Sequence, residues 1–135
     1  MKSKAIICDI DGVVLQCPYF VDIEEFYKNI EICTPIEWCV DLINGLHEKG
    51  YTILFLTARD SKCRGITKHQ LEQCFKFPIH LYMRLNGDVR PDHVIKKEHM
   101  DILMMKYDIR LALDDNVNNC NMFHSLGIPT IYVIR

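Results

Sequence analysis

Several signals are missing from this 135-residue chain, and each absence narrows what it can be. Charge of one sign is not in excess: 16 Lys and Arg against 18 Asp and Glu leave a formal −2, which argues against a strongly basic nucleic-acid binder. With 49% apolar residues the chain is not disordered either. No apolar run is long enough for a transmembrane span. The apolar stretch near the N-terminus is broken at once by Asp9 and Asp11, so an export signal is not expected. The seven cysteines (Cys8, Cys17, Cys33, Cys39, Cys63, Cys74 and Cys120) stand singly, with no Cys-x-x-Cys, and an odd number cannot all pair within one chain. They read as small core thiols in a reducing cytoplasm. The six histidines lack the spacing of metal ligands, and there are no repeats or low-complexity tracts.

What remains is a regular alternation. Apolar, β-rich segments at Lys4–Asp9, Tyr51–Thr57, Ile79–Arg84, Arg110–Asp114 and Thr130–Ile134 read as strands covered on both faces, the signature of a parallel sheet. Helices fall between them. Thr34-Pro35-Ile36-Glu37 has the form of a capping box opening a helix with Ile36, Cys39, Val40, Ile43 and Leu46 on its apolar face, ended by Gly50. Thr67 with Gln70 opens a second, ended by Pro78. A third runs from Asp92 to about Tyr107 with Ile95, Ile102 and Leu103 inward, and a fourth from about Asn118 to Leu126, closed by Gly127. The expectation is one α/β domain over residues 1–135, three layers deep, with a small insertion at about 15–33 containing a short helix near Ile23–Ile30. At this length about 70% of the extended surface can be buried, enough for a core without staples. Trp38 is expected to pack at the edge of its helix.

Two of these strands end in paired carboxylates. Ala5-Ile6-Ile7-Cys8 runs into Asp9-Ile10-Asp11-Gly12, and Leu111-Ala112-Leu113 into Asp114-Asp115. Like charges at the tip of a buried strand repel unless a cation or an anionic ligand needs them. Ligands of open parallel sheets gather at the carboxyl ends of the strands, where Thr57 also lies, with Lys96 in the first turns of the helix after the third strand. Such a set suits phosphoryl transfer through an aspartyl phosphate. Asp9 serves as nucleophile, Asp11 as general acid and base, and Thr57 and Lys96 hold the non-bridging oxygens. Asp9, Asp11, Asp114 and Asp115 provide an all-oxygen site for Mg²⁺.

The four motifs, Asp9-Ile10-Asp11-Gly12-Val13, Leu56-Thr57-Ala58-Arg59, Lys96 and Leu113-Asp114-Asp115, resemble in kind and order those of the haloacid-dehalogenase (HAD) phosphohydrolases. Val13 stands where many members carry threonine. The stretch Met83-Arg84-x-x-Gly87-Asp88-x-Arg90-x-Asp92-x-Val94-Ile95-Lys96-x-Glu98 further resembles the 3′-phosphatase domain of phage-type polynucleotide kinase/phosphatase. The resemblance implies a Rossmann-like core with five strands in the order 3-2-1-4-5, essentially capless. It also implies Mg²⁺ as cofactor, removal of 3′-phosphates from nucleic-acid ends or nucleotides, and Arg59, Arg90 and Asp92 as substrate-binding positions. Asp92, one helical turn before Lys96, is placed to orient its ammonium. That family carries an arginine after the first motif, where this chain reads Leu15-Gln16-Cys17-Pro18-Tyr19-Phe20. No Gly-x-x-x-x-Gly-Lys-Ser/Thr run exists to cradle a triphosphate, so kinase activity is not expected. A cytoplasmic setting is expected, the host's if the gene is a phage's.

The open rim suits a polymer end, and Arg59, Lys62, Arg64, Lys68, Arg84, Arg90, Lys96 and Lys97 form a basic middle third able to meet flanking phosphates. Three other readings compete: the same chemistry on small phosphoesters, a receiver-type phosphorylation module, and a catalytically silent relative. Receiver modules place their lysine after the acidic groups, which disfavours that reading here.

Overall fold

The computed structural model describes residues 1–134. In chain order its elements are β1 (Ser3–Cys8), β2 (Leu15–Gln16), α1 (Ile23–Lys28), β3 (Thr34–Pro35), α2 (Glu37–Glu48), β4 (Thr52–Asp60) and α3 (Arg64–Cys74). They continue as β5 (His80–Arg84), α4 (Asp92–Lys106), β6 (Tyr107–Asp114), α5 (Val117–Ser125) and β7 (Thr130–Tyr132), with short 3₁₀ turns at Ile30–Ile32 and Ser61–Cys63. The main sheet is β5-β4-β1-β6-β7, every pairing parallel, which is the expected order with the chain reversing direction beside β1.

Strand alternation divides the core into two layers. Ile6, Cys8, Ile53 and Phe55 pack with Cys39 and Ile43 of α2 and Leu71 of α3 on one face. Ala5, Ile7, Leu54 and Leu56 pack with Met100 and Leu103 of α4 and Phe123 of α5 on the other. Both faces of β1 are therefore dry from Ala5 to Cys8, and the carboxylates of Asp9 and Asp11 follow just beyond its carboxyl end.

Local signals misled in four places, and at the two helix starts and the cysteines a long-range partner took the group. Thr34 and Pro35 do not cap α2. They pair antiparallel with Gln16 and Leu15, and the helix starts at Glu37 with Ile36 as its unassisted N-cap. Thr67 and Gln70 do not open α3, which begins at Arg64; both side chains turn inward to Arg59. Ile102 is exposed, since its neighbour Leu103 takes the buried position. Trp38 is also exposed.

The fourth concerns cysteine. Cys17 and Cys33 form a disulfide that extends the β2–β3 ladder by one pair, so the chain is not a set of seven thiols. Cys8, Cys39 and Cys120 lie outside the disulfide and are buried as expected. The insertion thus leaves the core on a stem of two residue pairs and one covalent bond. It carries α1, a six-residue helix with no fully buried residue.

Candidate active site

The chain turns sharply as it leaves β1. Gly12 takes a φ of 82°, a left-handed conformation that suits glycine, while the amides of Val13, Val14 and Leu15 all donate to the Ile10 carbonyl. Val13 and Val14 are thereby driven into the core and Asp11 is left at the mouth. On the neighbouring strand the β4–β5 register shifts between Leu56 and Asp60, and the irregularity lets Thr57 face the same space. β6 ends at Asp114. Asn116 then caps α5, accepting from the Asn119 amide at 3.0 Å.

These turns enclose a pocket of about 200 Å³ lined by Asp9, Asp11, Thr57, Lys96, Asp115 and Asn119, among others. Carboxylate oxygens of Asp9, Asp114 and Asp115 lie within 4.8 Å of one another. Lys96, 1% exposed, reaches in from α4 and donates to Asp114 Oδ2 at 2.7 Å, with Asp9 Oδ1 3.1 Å away. Burial pushes the Asp9 carboxyl well above its ordinary range, opposed by Lys96 and reinforced by Asp114 and Asp115. For Lys96 burial acts the other way, but the two carboxylates outweigh it and hold the ammonium above its usual value. Burial and the adjacent Asp9 likewise keep the Cys8 thiol protonated.

The pocket thus gathers three carboxylates and one ammonium. All the donors are hard oxygens, the chemistry that suits Mg²⁺, so the residues present fit such an ion.

Asp11 is held differently. Arg59, 2% exposed, grips it through both carboxylate oxygens, Nε to Oδ2 at 2.9 Å and Nη2 to Oδ1 at 2.7 Å. Its Nη1 donates to Thr67 Oγ1 at 3.0 Å and Gln70 Oε1 at 2.7 Å. The Arg59 fork is thus fully engaged within the protein. Asp92 is engaged by Arg84 rather than by Lys96, because the shorter path for Lys96 leads to the two buried carboxylates. Arg90 lies on the surface between Asp88 and Glu98. With Lys97 on Asp101, five of the eight middle-third cations are ion-paired, which makes the rim far less positive than the sequence suggests.

Two residues that sequence reasoning missed, Asp60 and Asn119, and one it took only for a rim charge, Arg84, organise this region. Arg84 donates to the carbonyls of Ala58, Asp88 and Arg90 and so folds the 85–91 loop against β4. Asp60 is buried; its carboxylate accepts from Lys62 N and Gly87 N, while its own amide donates to Tyr27 Oη at 2.8 Å. Asn119 donates to both oxygens of Asp114 at 3.2 Å, and its own carbonyl oxygen, buried, has no partner. Arg84 stood within the Met83–Glu98 stretch, and Asn119 lies three residues after the Asn116 cap.

A doubly covered parallel sheet with this order, whose strand ends gather carboxylates, a hydroxyl and one ammonium, defines the haloacid-dehalogenase class of phosphatase folds. Comparisons narrow it: the chain belongs to the family of polynucleotide kinase PNKP phosphatase domains, whose model matches residues 3–135. Among solved structures, a chain of the Pnkp1/Rnl/Hen1 RNA repair complex is similar at 26% identity and TM-score 0.82, and a chain of a second structure, of the Pnkp1/Rnl/Hen1 complex, at 25% and 0.85. Each is matched over 98% of this chain, which spans only 42% and 46% of theirs. A Class C acid phosphatase from Bacillus anthracis with tungstate bound shares the fold at 18% identity and TM-score 0.67, over 88% of this chain and 54% of its own.

Proposed function

We propose that this chain is a Mg²⁺-dependent phosphatase that removes the 3′-phosphate from nucleic-acid ends through an aspartyl-phosphate intermediate on Asp9. The observation that carries the reading is the clustering of Asp9, Asp114 and Asp115 around one buried ammonium, at the open end of a sheet of this family.

The residues divide the work by position. Asp9 attacks phosphorus; Lys96 and Thr57 balance and orient the non-bridging oxygens. Asp114 fixes Lys96 and is itself fixed by Asn119 and the Asn116 amide. Asp11 protonates the departing 3′-oxygen and later takes a proton from the water that hydrolyses the intermediate. To do so it must exchange its two bonds to Arg59 for the substrate, which makes Arg59 the group that parks Asp11 between turnovers. Asp9, Asp114 and Asp115, joined by Asp11, would hold Mg²⁺, which supplies charge neutralisation between carboxylate and phosphate.

Nucleotides are the second substrate reading, favoured by the ion-paired rim, which leaves few cations for flanking phosphates. The test is a panel of 3′-phosphorylated DNA, 3′-phosphorylated RNA and nucleoside 3′-monophosphates, each with and without Mg²⁺. Metal-dependent release, fastest on a polynucleotide end, is expected. Release fastest on mononucleotides would move the substrate to the second reading, and no release from any would overturn the function.

A further inference from the structure

Beside the catalytic pocket lies a larger chamber of about 630 Å³, and the two share Asp11, Ala58 and Asp92. Its volume is several times what a phosphate needs. One wall is α1, whose Ile23, Phe26 and Tyr27 turn toward this space instead of into the core. Across from it are Val89 and Pro91 of the 85–91 loop. Ile23 and Val89 are 67% and 93% exposed, apolar surface that water covers at a cost.

The charges around the chamber are already matched. Its three arginines are each ion-paired: Arg59 with Asp11, Arg84 with Asp92, and Arg90 with Asp88 and Glu98. Such a space has little to attract a second phosphate, and its apolar walls suit a flat, neutral group. The walls are also held in place rather than loose. The stem disulfide fixes the insertion, and Asp60 ties the two walls together through Tyr27 on one side and Gly87 on the other.

We propose that this chamber seats the terminal nucleobase of the substrate, between α1 and Val89, so that the 3′-phosphate of the same nucleotide enters the catalytic pocket. The inference rests on the phosphatase reading above and adds to it a specificity element: the enzyme reads the presence of a base, not only a phosphate. Stacking of a base on an aromatic side chain, which Phe26 and Tyr27 provide on the α1 wall, contributes about tenfold or more in affinity.

Two 3′-phosphorylated oligonucleotides test it, identical except that one ends in a base-bearing residue and the other in an abasic one. Wild type is expected to favour the base-bearing end by about tenfold in kcat/KM. Val89→Ser and Ile23→Ser, exposed positions where the fold tolerates change, should shrink that ratio toward one, mainly through KM. Ile102→Ser, equally apolar and exposed but outside both pockets, should leave the ratio alone. Equal rates on both ends in wild type would overturn the inference while leaving the phosphatase intact, as would a ratio unmoved by either chamber variant. Hydrolysis of neither end would overturn the underlying function and the inference with it.

Discussion

The catalytic pocket and the chamber beside it are built on opposite principles. The pocket hangs from the ends of buried strands: Asp9, Thr57 and Asp114 are each 7% exposed or less, and their positions follow from a sheet that has no other way to arrange itself. The chamber is made of an insertion and a loop, held by side chains that reach across the chain: Arg84 to three carbonyls, Asp60 to Tyr27 and Gly87, and Cys17 to Cys33. On the proposed reading, chemistry sits where the fold is hardest to change, and recognition where it is easiest.

Perturbations of the two regions should separate accordingly. The largest effect is expected for Lys96→Met, which leaves Asp9 and Asp114 buried without their shared cation. Phosphate release should fall about a hundredfold or more. The same change should cost about 3–5 kcal/mol of stability by urea unfolding, as for other broken buried pairs. Retention of both would blur the distinction. Next is the stem disulfide: reduction, or Cys33→Ser, should cost about 3 kcal/mol, as expected for a loop of this size. Activity should change less than for Lys96→Met, since no catalytic group is removed. Arg84→Ala follows, with about 2 kcal/mol lost from hydrogen bonds to a charged donor and a rise in KM exceeding any fall in kcat. A collapse of kcat would mean that the loop belongs to the chemistry.

The smallest effect concerns the surface group formed by Asp88, Arg90 and Glu98. Hydrogen bonds from Arg90 hold the Asp88 carboxyl at about 2, below its ordinary value. A depressed carboxyl stabilises the fold above its unfolded pKa, so this contribution is complete above about pH 4 and is lost as pH falls through about 2. Asp88→Asn should flatten that part of the acid-unfolding curve and leave the neutral region unchanged.

The same division explains what could be read from the sequence. The strands were legible as continuous apolar runs and the convergence of Asp9, Asp114 and Asp115 as carboxylates at the carboxyl ends of parallel strands, while the strand order came from the resemblance to the HAD phosphohydrolases. The chamber was not legible. Arg84 and Arg90 look like free positive charge until the fold brings carboxylates to them. Thr67 and Gln70 look like a helix start until Arg59 claims them. Cys17 and Cys33 gave no spacing signal, because what joins them is the pairing of β2 with β3.

The most direct measurement is phosphate release from a 3′-phosphorylated oligonucleotide by Asp9→Asn, an exchange that keeps the shape of the side chain and removes its nucleophilic charge. With Mg²⁺ present and the urea midpoint confirming a folded protein, the rate should fall by about a thousandfold or more. Release by Asp9→Asn within tenfold of wild type would show that phosphorus is attacked by some other group.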